Sequence, residues 1–139
     1  MPDDTVTVQR IIDAPASDVW AALIDPEAIK QYFFGSAVET DWQEGSPITF
    51  RGEHEGKQYE DKGEIQDVDT ERSLSFTHFS SMSGKPDKPE NYATVTYDLR
   101  EKGEKTEVKV TQTNCMGDTE QTKKNWNMVL DGLKKTVEH

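Results

Sequence analysis

The side chains in this sequence that could do chemistry are two internal histidines, a scatter of carboxylates, a pair of amides and one cysteine. His78 lies in SLSFTHF, Ser73 to Phe79. Strand alternation puts it on one face with Leu74 and Phe76. With that face inward, the imidazole points into an apolar interior and can anchor a ligand hydroxyl or carbonyl. The commoner role of such a residue is a satisfied histidine at the rim. Asp61 alternates with Tyr59, Gly63 and Ile65. A carboxylate there could be the general base of a cyclase-like reaction, but acidic residues are so frequent that an exposed strand edge is the expected place for it. Gln112 and Asn114 continue the face of Val108 and Val110. Polar groups on an apolar face mark either the mouth of a cavity or a strand end reaching water, with the strand end expected. Cys115 has no nearby base to lower its pKa, and it reads as a passive thiol. His54 sits near a hairpin end, where solvent is expected, and His139 closes the chain. Two distant internal histidines without clustered cysteines give no metal-ligand spacing. There is no nucleophile elbow, phosphate loop or dinucleotide fingerprint. No catalytic residue, metal site or cofactor is therefore expected, and binding is expected ahead of catalysis.

The aromatic residues carry the stronger pattern. Trp20 falls in a short apolar stripe and is expected in the core. Phe33, Phe34 and Trp42 flank a turn between a helix and a strand. Phe33 and Phe34 are adjacent and cannot both point inward on a regular element, so this turn could form a ligand entrance, a lid or a partner surface. Phe50, Tyr59, Phe76, Tyr97 and Trp126, with Leu130, fall on segments that must meet in the interior.

The elements that position these groups can be read from periodicity. TEQTKKNWNMVLDGLKKTV places Trp126, Val129, Leu130, Leu133 and Val137 three or four apart, which predicts an amphipathic helix over Asp118 to Val137. Asp118 or Thr119 can cap it, and its lysines suit the negative C-terminal end. Thr5 to Ile12 alternates and is β-branched, so it reads as a strand. Two short helices follow, Asp18 to Ile24 with Ser17 or Pro15 at its start, and Glu27 to Tyr32 after Asp25-Pro26. Strands are expected over Ala37 to Trp42, Ile48 to His54 (with Gly52 a candidate bulge), Lys57 to Val68, Ser73 to Phe79, Asn91 to Glu101 and Thr106 to Asn114. Turns are expected at Glu55-Gly56, Asp69 to Arg72 and Lys102 to Lys105. Ser80 to Glu90 is the longest irregular stretch. The order is strand, two short helices, about six strands and a long helix. Hairpin-linked strands make an antiparallel sheet, and only the last helix is long enough to cover it. The layout is α+β: a curved sheet of about six to seven strands wrapped around the C-terminal helix, known as the helix-grip fold.

Composition narrows the function classes. At 139 residues the chain fits one domain over residues 1–139. A net charge of −11 would repel nucleic-acid phosphates and anionic membrane surfaces. A lone cysteine excludes an internal disulfide and suits a reducing cytoplasm. No apolar run approaches the roughly 20 residues of a membrane span, and the opening residues carry no apolar signal region.

Three segments in order resemble one family. IDAPASDVWAALIDPEAIKQYF (Ile12 to Phe33), YEDKGEIQDVDTERSLSFTHF (Tyr59 to Phe79) and NWNMVLDGLKK (Asn125 to Lys135) are similar to the opening, central hairpin and closing helix of the activator of heat-shock-protein ATPase homologue family, within the START-like (SRPBCC) superfamily. The resemblance covers nearly the whole chain. It implies an apolar cavity between helix and sheet, and relatives that bind lipids, sterols, polyketides or other small hydrophobic molecules. Some relatives are cyclases, aromatase-like enzymes or oxygenase partners. The family's name-givers stimulate a chaperone ATPase, a task that also uses a second domain, which a single-domain chain lacks. The expectation is a monomer binding a small hydrophobic molecule, with a chaperone or other protein partner as the alternative and a cofactor-free cyclase or hydrolase as the third reading.

Overall fold

The computed structural model describes residues 5–33, 35–54, 56–79, 86–114 and 119–138. Strand β1 (Val6–Ile12) buries Val6, Val8 and Ile12 and exposes Thr7, Gln9 and Ile11, as alternation requires. Helix α1 (Ala16–Leu23) starts two residues before the expected Asp18. Its cap is Pro15, with extended backbone and a carbonyl that accepts from Asp18 and Val19; the Ser17 hydroxyl is not used as a cap. Helix α2 (Pro26–Tyr32) has the expected start. Pro26 sits in its first turn, and the Asp25 carboxylate accepts the Glu27 N–H at 3.1 Å.

The remaining strands are β2 (Ala37–Glu39), β3 (Pro47–His54), β4 (Lys57–Asp69), β5 (Ser73–His78), β6 (Ala93–Lys102) and β7 (Lys105–Gln112). They form one antiparallel sheet in the order β1-β7-β6-β5-β4-β3-β2. Strand β2 stops at Glu39, short of the expected Trp42. Trp42 is held in the left-handed region at φ 61°, and the Asp41 carboxylate accepts the Gln43 N–H, so the chain turns before the strand can continue. The expected bulge at Gly52 is absent. Gly52 pairs with Tyr59 in unbroken register, and the irregularity lies in β4 between Ile65 and Asp67. Just before it, a Cβ on Gly63 would stand 1.7 Å from the Thr77 carbonyl oxygen, so only glycine allows β5 to approach so closely. Strand β6 begins at Ala93, because Pro89–Asn91 forms a single 3₁₀ turn.

Helix α3 (Thr119–Val137) buries all five expected stripe residues, Trp126, Val129, Leu130, Leu133 and Val137. Burying such a stripe contributes on the order of 10 kcal/mol before entropy is counted. Packing rather than intrinsic propensity therefore holds the helix in place. It rests on α2, β1 and α1. Gly132 is the contact point with α2, where an added Cβ would lie 2.8 Å from the Tyr32 Cβ. Polar bonds fasten the flank of α3 to β1. Arg10 donates to Asp131 at 2.9 Å and to Asn127 at 2.7 Å, and Lys134 donates to the Ile11 carbonyl at 3.3 Å. This is the helix-grip arrangement. Among the described residues no helix is long and apolar enough to cross a membrane.

Candidate functional site

The hydrophobic core closes one end of the grip with Ile48, Ile65, Leu74 and Leu133, each at most 1% exposed. Near the β3–β4 hairpin the inner sheet face and the first half of α3 stand apart. There they enclose an open pocket of about 420 Å³. Phe33 and Ser36 enter it from the end of α2, Phe50 from β3, Tyr59 and Asp61 from β4, and Phe76 and His78 from β5. Val95 on β6, Gln112 on β7 and the α3 residues Thr122, Asn125, Trp126 and Val129 complete the wall, with Glu53 at the rim.

A closed circuit of aromatic rings gives the wall its rigidity. Phe33 stacks on Phe50 with centroids 5.6 Å apart, and Phe50 meets Phe76 at 5.7 Å. Phe76 meets Tyr97 at 6.3 Å. Tyr97 meets Trp126 edge-on at 5.9 Å, and Trp126 returns edge-on to Phe33 at 5.8 Å. Such contacts add about 0.5–1.5 kcal/mol each beyond area burial. The circuit joins the end of α2, strands β3, β5 and β6, and α3.

Three polar pairs are set into this wall. The Ser36 and Tyr59 hydroxyls share a 2.6 Å hydrogen bond. Gly52 makes that bond possible, because a Cβ there would come within 2.5 Å of the Tyr59 hydroxyl oxygen. His78 Nε2 lies 3.2 Å from Asp61 Oδ2, with the two side chains 25% and 15% exposed. The His78 ring also meets Phe50 edge-on at 5.6 Å. The Trp126 indole N–H donates to Gln112 Oε1 at 2.7 Å. On the helix side, Gln121 donates to Asn125 at 3.0 Å. Among the described residues no cluster of three His, Cys, Asp or Glu could hold a metal ion.

Of the residues singled out in the sequence, Phe33, Phe50, Tyr59, Phe76, His78, Gln112 and Trp126 come together on the pocket wall. Tyr97 stands behind it as a member of the ring circuit, and burial pushes its hydroxyl pKa up. Leu130 is fully buried in the core beneath the pocket. Trp42 packs on the core along a narrow crevice with Ile29, Tyr32 and Ile48, on the other side of Phe33, Phe50 and Phe76 from the pocket proper. Phe34, Cys115, Asp118 and His139 lie outside the described residues. Asp61 corrects the expectation of an exposed edge: β4 keeps its alternation through Tyr59 and Asp61, so both side chains face the pocket. Gln112, half-buried at the end of β7, accepts from the Trp126 indole at the pocket wall. Asn114 is past the end of β7 at φ 52°, and its amide donates to the Glu90 and Tyr92 carbonyls at 2.9 and 3.1 Å. Sequence reasoning missed Thr122 and Asn125, although with Trp126 and Val129 they fall at helical spacing on one face. Ser36 carries no such signal: it lies in a turn, and only the fold brings Tyr59 to it.

The profile of the activator of Hsp90 ATPase homolog 1-like protein family matches residues 13–138. The solution structure of ChR145 from Cytophaga hutchinsonii is 44% identical to this chain. The match covers 99% of this chain and 97% of that one, with a TM-score of 0.85. CV1439 from Chromobacterium violaceum is 20% identical, covering 100% of this chain and 99% of that one, with a TM-score of 0.80. DynU16, a protein of the dynemicin biosynthetic locus, is 23% identical; the match covers 99% of this chain and 48% of that one, with a TM-score of 0.80. At the two lower identities the likeness is one of fold. No curated protein matches the sequence.

Proposed function

Because the chain belongs to the activator of Hsp90 ATPase homolog 1-like family, we propose that it binds a small, largely apolar molecule non-covalently between α3 and the sheet. The observation that carries this reading is the pocket itself, about 420 Å³ with an aromatic wall, against roughly 300–1,000 Å³ for small-molecule sites in general. Burial of the ligand's apolar surface, at roughly 25 cal/mol per Å², would supply the affinity. His78, Tyr59 and Gln112 would orient it, because each is already held by a hydrogen bond and loses little freedom on binding. Lipids, polyketides and flat aromatic compounds all fit this description. A monomer in the cytoplasm belongs to the same reading.

A proton–nitrogen NMR titration of the labelled protein against lipids, flavonoid-like aromatics and sterol-like compounds tests it. Shifts concentrated at the Trp126 indole, Phe76 and the Phe33 to Trp42 turn are the expected result. A folded spectrum that no compound perturbs would overturn it. The second reading is proton transfer within the same pocket, favoured by the Asp61–His78 pair. On that reading Asp61→Asn abolishes turnover of a bound substrate while leaving its affinity and the fold in place.

A further inference from the structure

We propose that the ligand of this pocket carries a cationic group, a protonated amine or a quaternary ammonium, and that this group sits against Asp61 and the face of Phe50. The inference rests on the binding reading above and names the chemistry of what is bound.

The first support is the charge on the wall. Its ionisable groups among the described residues are Asp61, Glu53 and His78, with no lysine or arginine. Lys57 shares the Asp61 face of β4 but is exposed at the hairpin end and is not part of the wall. Two other basic side chains of these strands are engaged elsewhere. Arg51 pairs with Glu60 at 2.5 Å and with Glu39 at 3.5 Å, and Lys62 pairs with Asp87. Arg51 and Lys62 alternate with Phe50 and Asp61, so they stand on the outer face of the sheet. Glu53 stands at the rim and also begins on the outer face, which leaves Asp61 as the inward carboxylate.

The second support is the rings. Asp61 is the direct cross-strand partner of Phe50, so an anion and an aromatic ring are neighbours on one pocket wall. The negative face of a ring attracts a cation within about 6 Å, and more strongly where water is excluded. Phe33, Phe76 and Trp126 extend the same kind of surface. A net charge of −11 adds a long-range field that draws cations toward the protein. An anionic ligand would meet the Asp61 carboxylate on a described wall that holds no lysine or arginine. His78, 3.2 Å from Asp61, already holds this carboxylate and would compete with a ligand for it. For that reason the test includes it.

Three probes separate the possibilities: phenyltrimethylammonium, its uncharged isostere tert-butylbenzene, and the anion benzoate. NMR titration is expected to give the cation the lowest Kd, about tenfold below that of tert-butylbenzene, with benzoate weakest. Asp61→Asn keeps the shape and the partner of His78. It should remove the tenfold preference and leave the Kd for tert-butylbenzene unchanged. His78→Gln should preserve or enlarge the preference, because it removes the imidazole that competes for Asp61. Equal Kd values for cation and isostere, tighter binding of benzoate, or a preference that survives Asp61→Asn would overturn the inference while leaving the binding reading standing. If none of the three perturbs the pocket, the inference falls, and the binding reading is decided by the lipid, flavonoid and sterol titration above.

Discussion

Gly52 shows how an absent side chain can build a site. The bare backbone lets the Tyr59 ring lie across β3 and reach Ser36. Gly52→Ala should push the ring away and break that bond, costing about 1 kcal/mol in urea unfolding. Tyr59→Phe loses the same bond without displacing the ring, so its cost should match while the pocket keeps its shape. Comparing ligand affinity in the two variants separates the hydrogen bond from the geometry. Gly63 is a harder case. An added methyl would collide with the Thr77 carbonyl, which is backbone and cannot rotate away. Gly63→Ala should cost more than about 3 kcal/mol, near the upper end for single substitutions. Neither role was legible in the sequence. Gly52 read as a bulge, and Gly63 as one more strand residue, because a glycine that makes room for a neighbour looks the same as one that bends the chain. Asp61 was misplaced for a related reason. Alternation put it on the face of Tyr59, but the surrounding excess of carboxylates argued for solvent, and only the curl of the sheet decides which face is enclosed.

At the level of elements, periodicity carried most of the architecture. The five-residue stripe of α3 is legible because helical spacing repeats over about three turns from Trp126 to Val137, and every member is buried. The hairpins at Gly56 and Gly103 are legible because those glycines take positive φ, 80° and 68°, where the turns need it. The boundaries that moved, at Trp42, Asn91 and Ala16, depend on a left-handed residue, a single 3₁₀ turn and a carbonyl cap. None of these alters the hydrophobic pattern. Gly132 sets two effects against each other. Alanine would favour the helix by about 1 kcal/mol, but its methyl would stand 2.8 Å from the Tyr32 Cβ, a rigid point on α2. Because α2 must shift to make room, the clash should win. Gly132→Ala is expected to lower stability by about 1–2 kcal/mol, measured by chemical denaturation. A rise in the midpoint would show that α2 slides freely.

Across the whole molecule, two groups of charges tie folding to pH. Tyr32 and Tyr97 are held above the ordinary tyrosine range, chiefly by burial. Their contribution to stability is complete below about pH 10, where the unfolded chain would begin to release those protons, and is lost as the pH rises further. Tyr97→Phe should move the midpoint of alkaline unfolding upward, followed by circular dichroism. At the acid end, Glu138 is held below the ordinary glutamate range by the Asp13 N–H and then by Lys134. Its contribution is present above about pH 4.3 and lost as the pH falls through its lowered value. Glu138→Gln should flatten that limb of the stability curve. If the acidic exterior also docks a basic protein partner, that association should weaken steeply with added salt, whereas apolar filling of the pocket should not.

The strand order has one more consequence, in time rather than space. Within this sheet strand β1 is made before all the others and its partner β7 after them; paired residues such as Val6 and Gln112 are on the order of a hundred positions apart. At about 5–20 residues per second, the nascent β1 waits for on the order of ten seconds with its edge bare. The hairpins from β3 to β6 can zip as they emerge. During that wait the polar side chains of Gln9 and Arg10 are what the first strand itself offers against pairing with another chain.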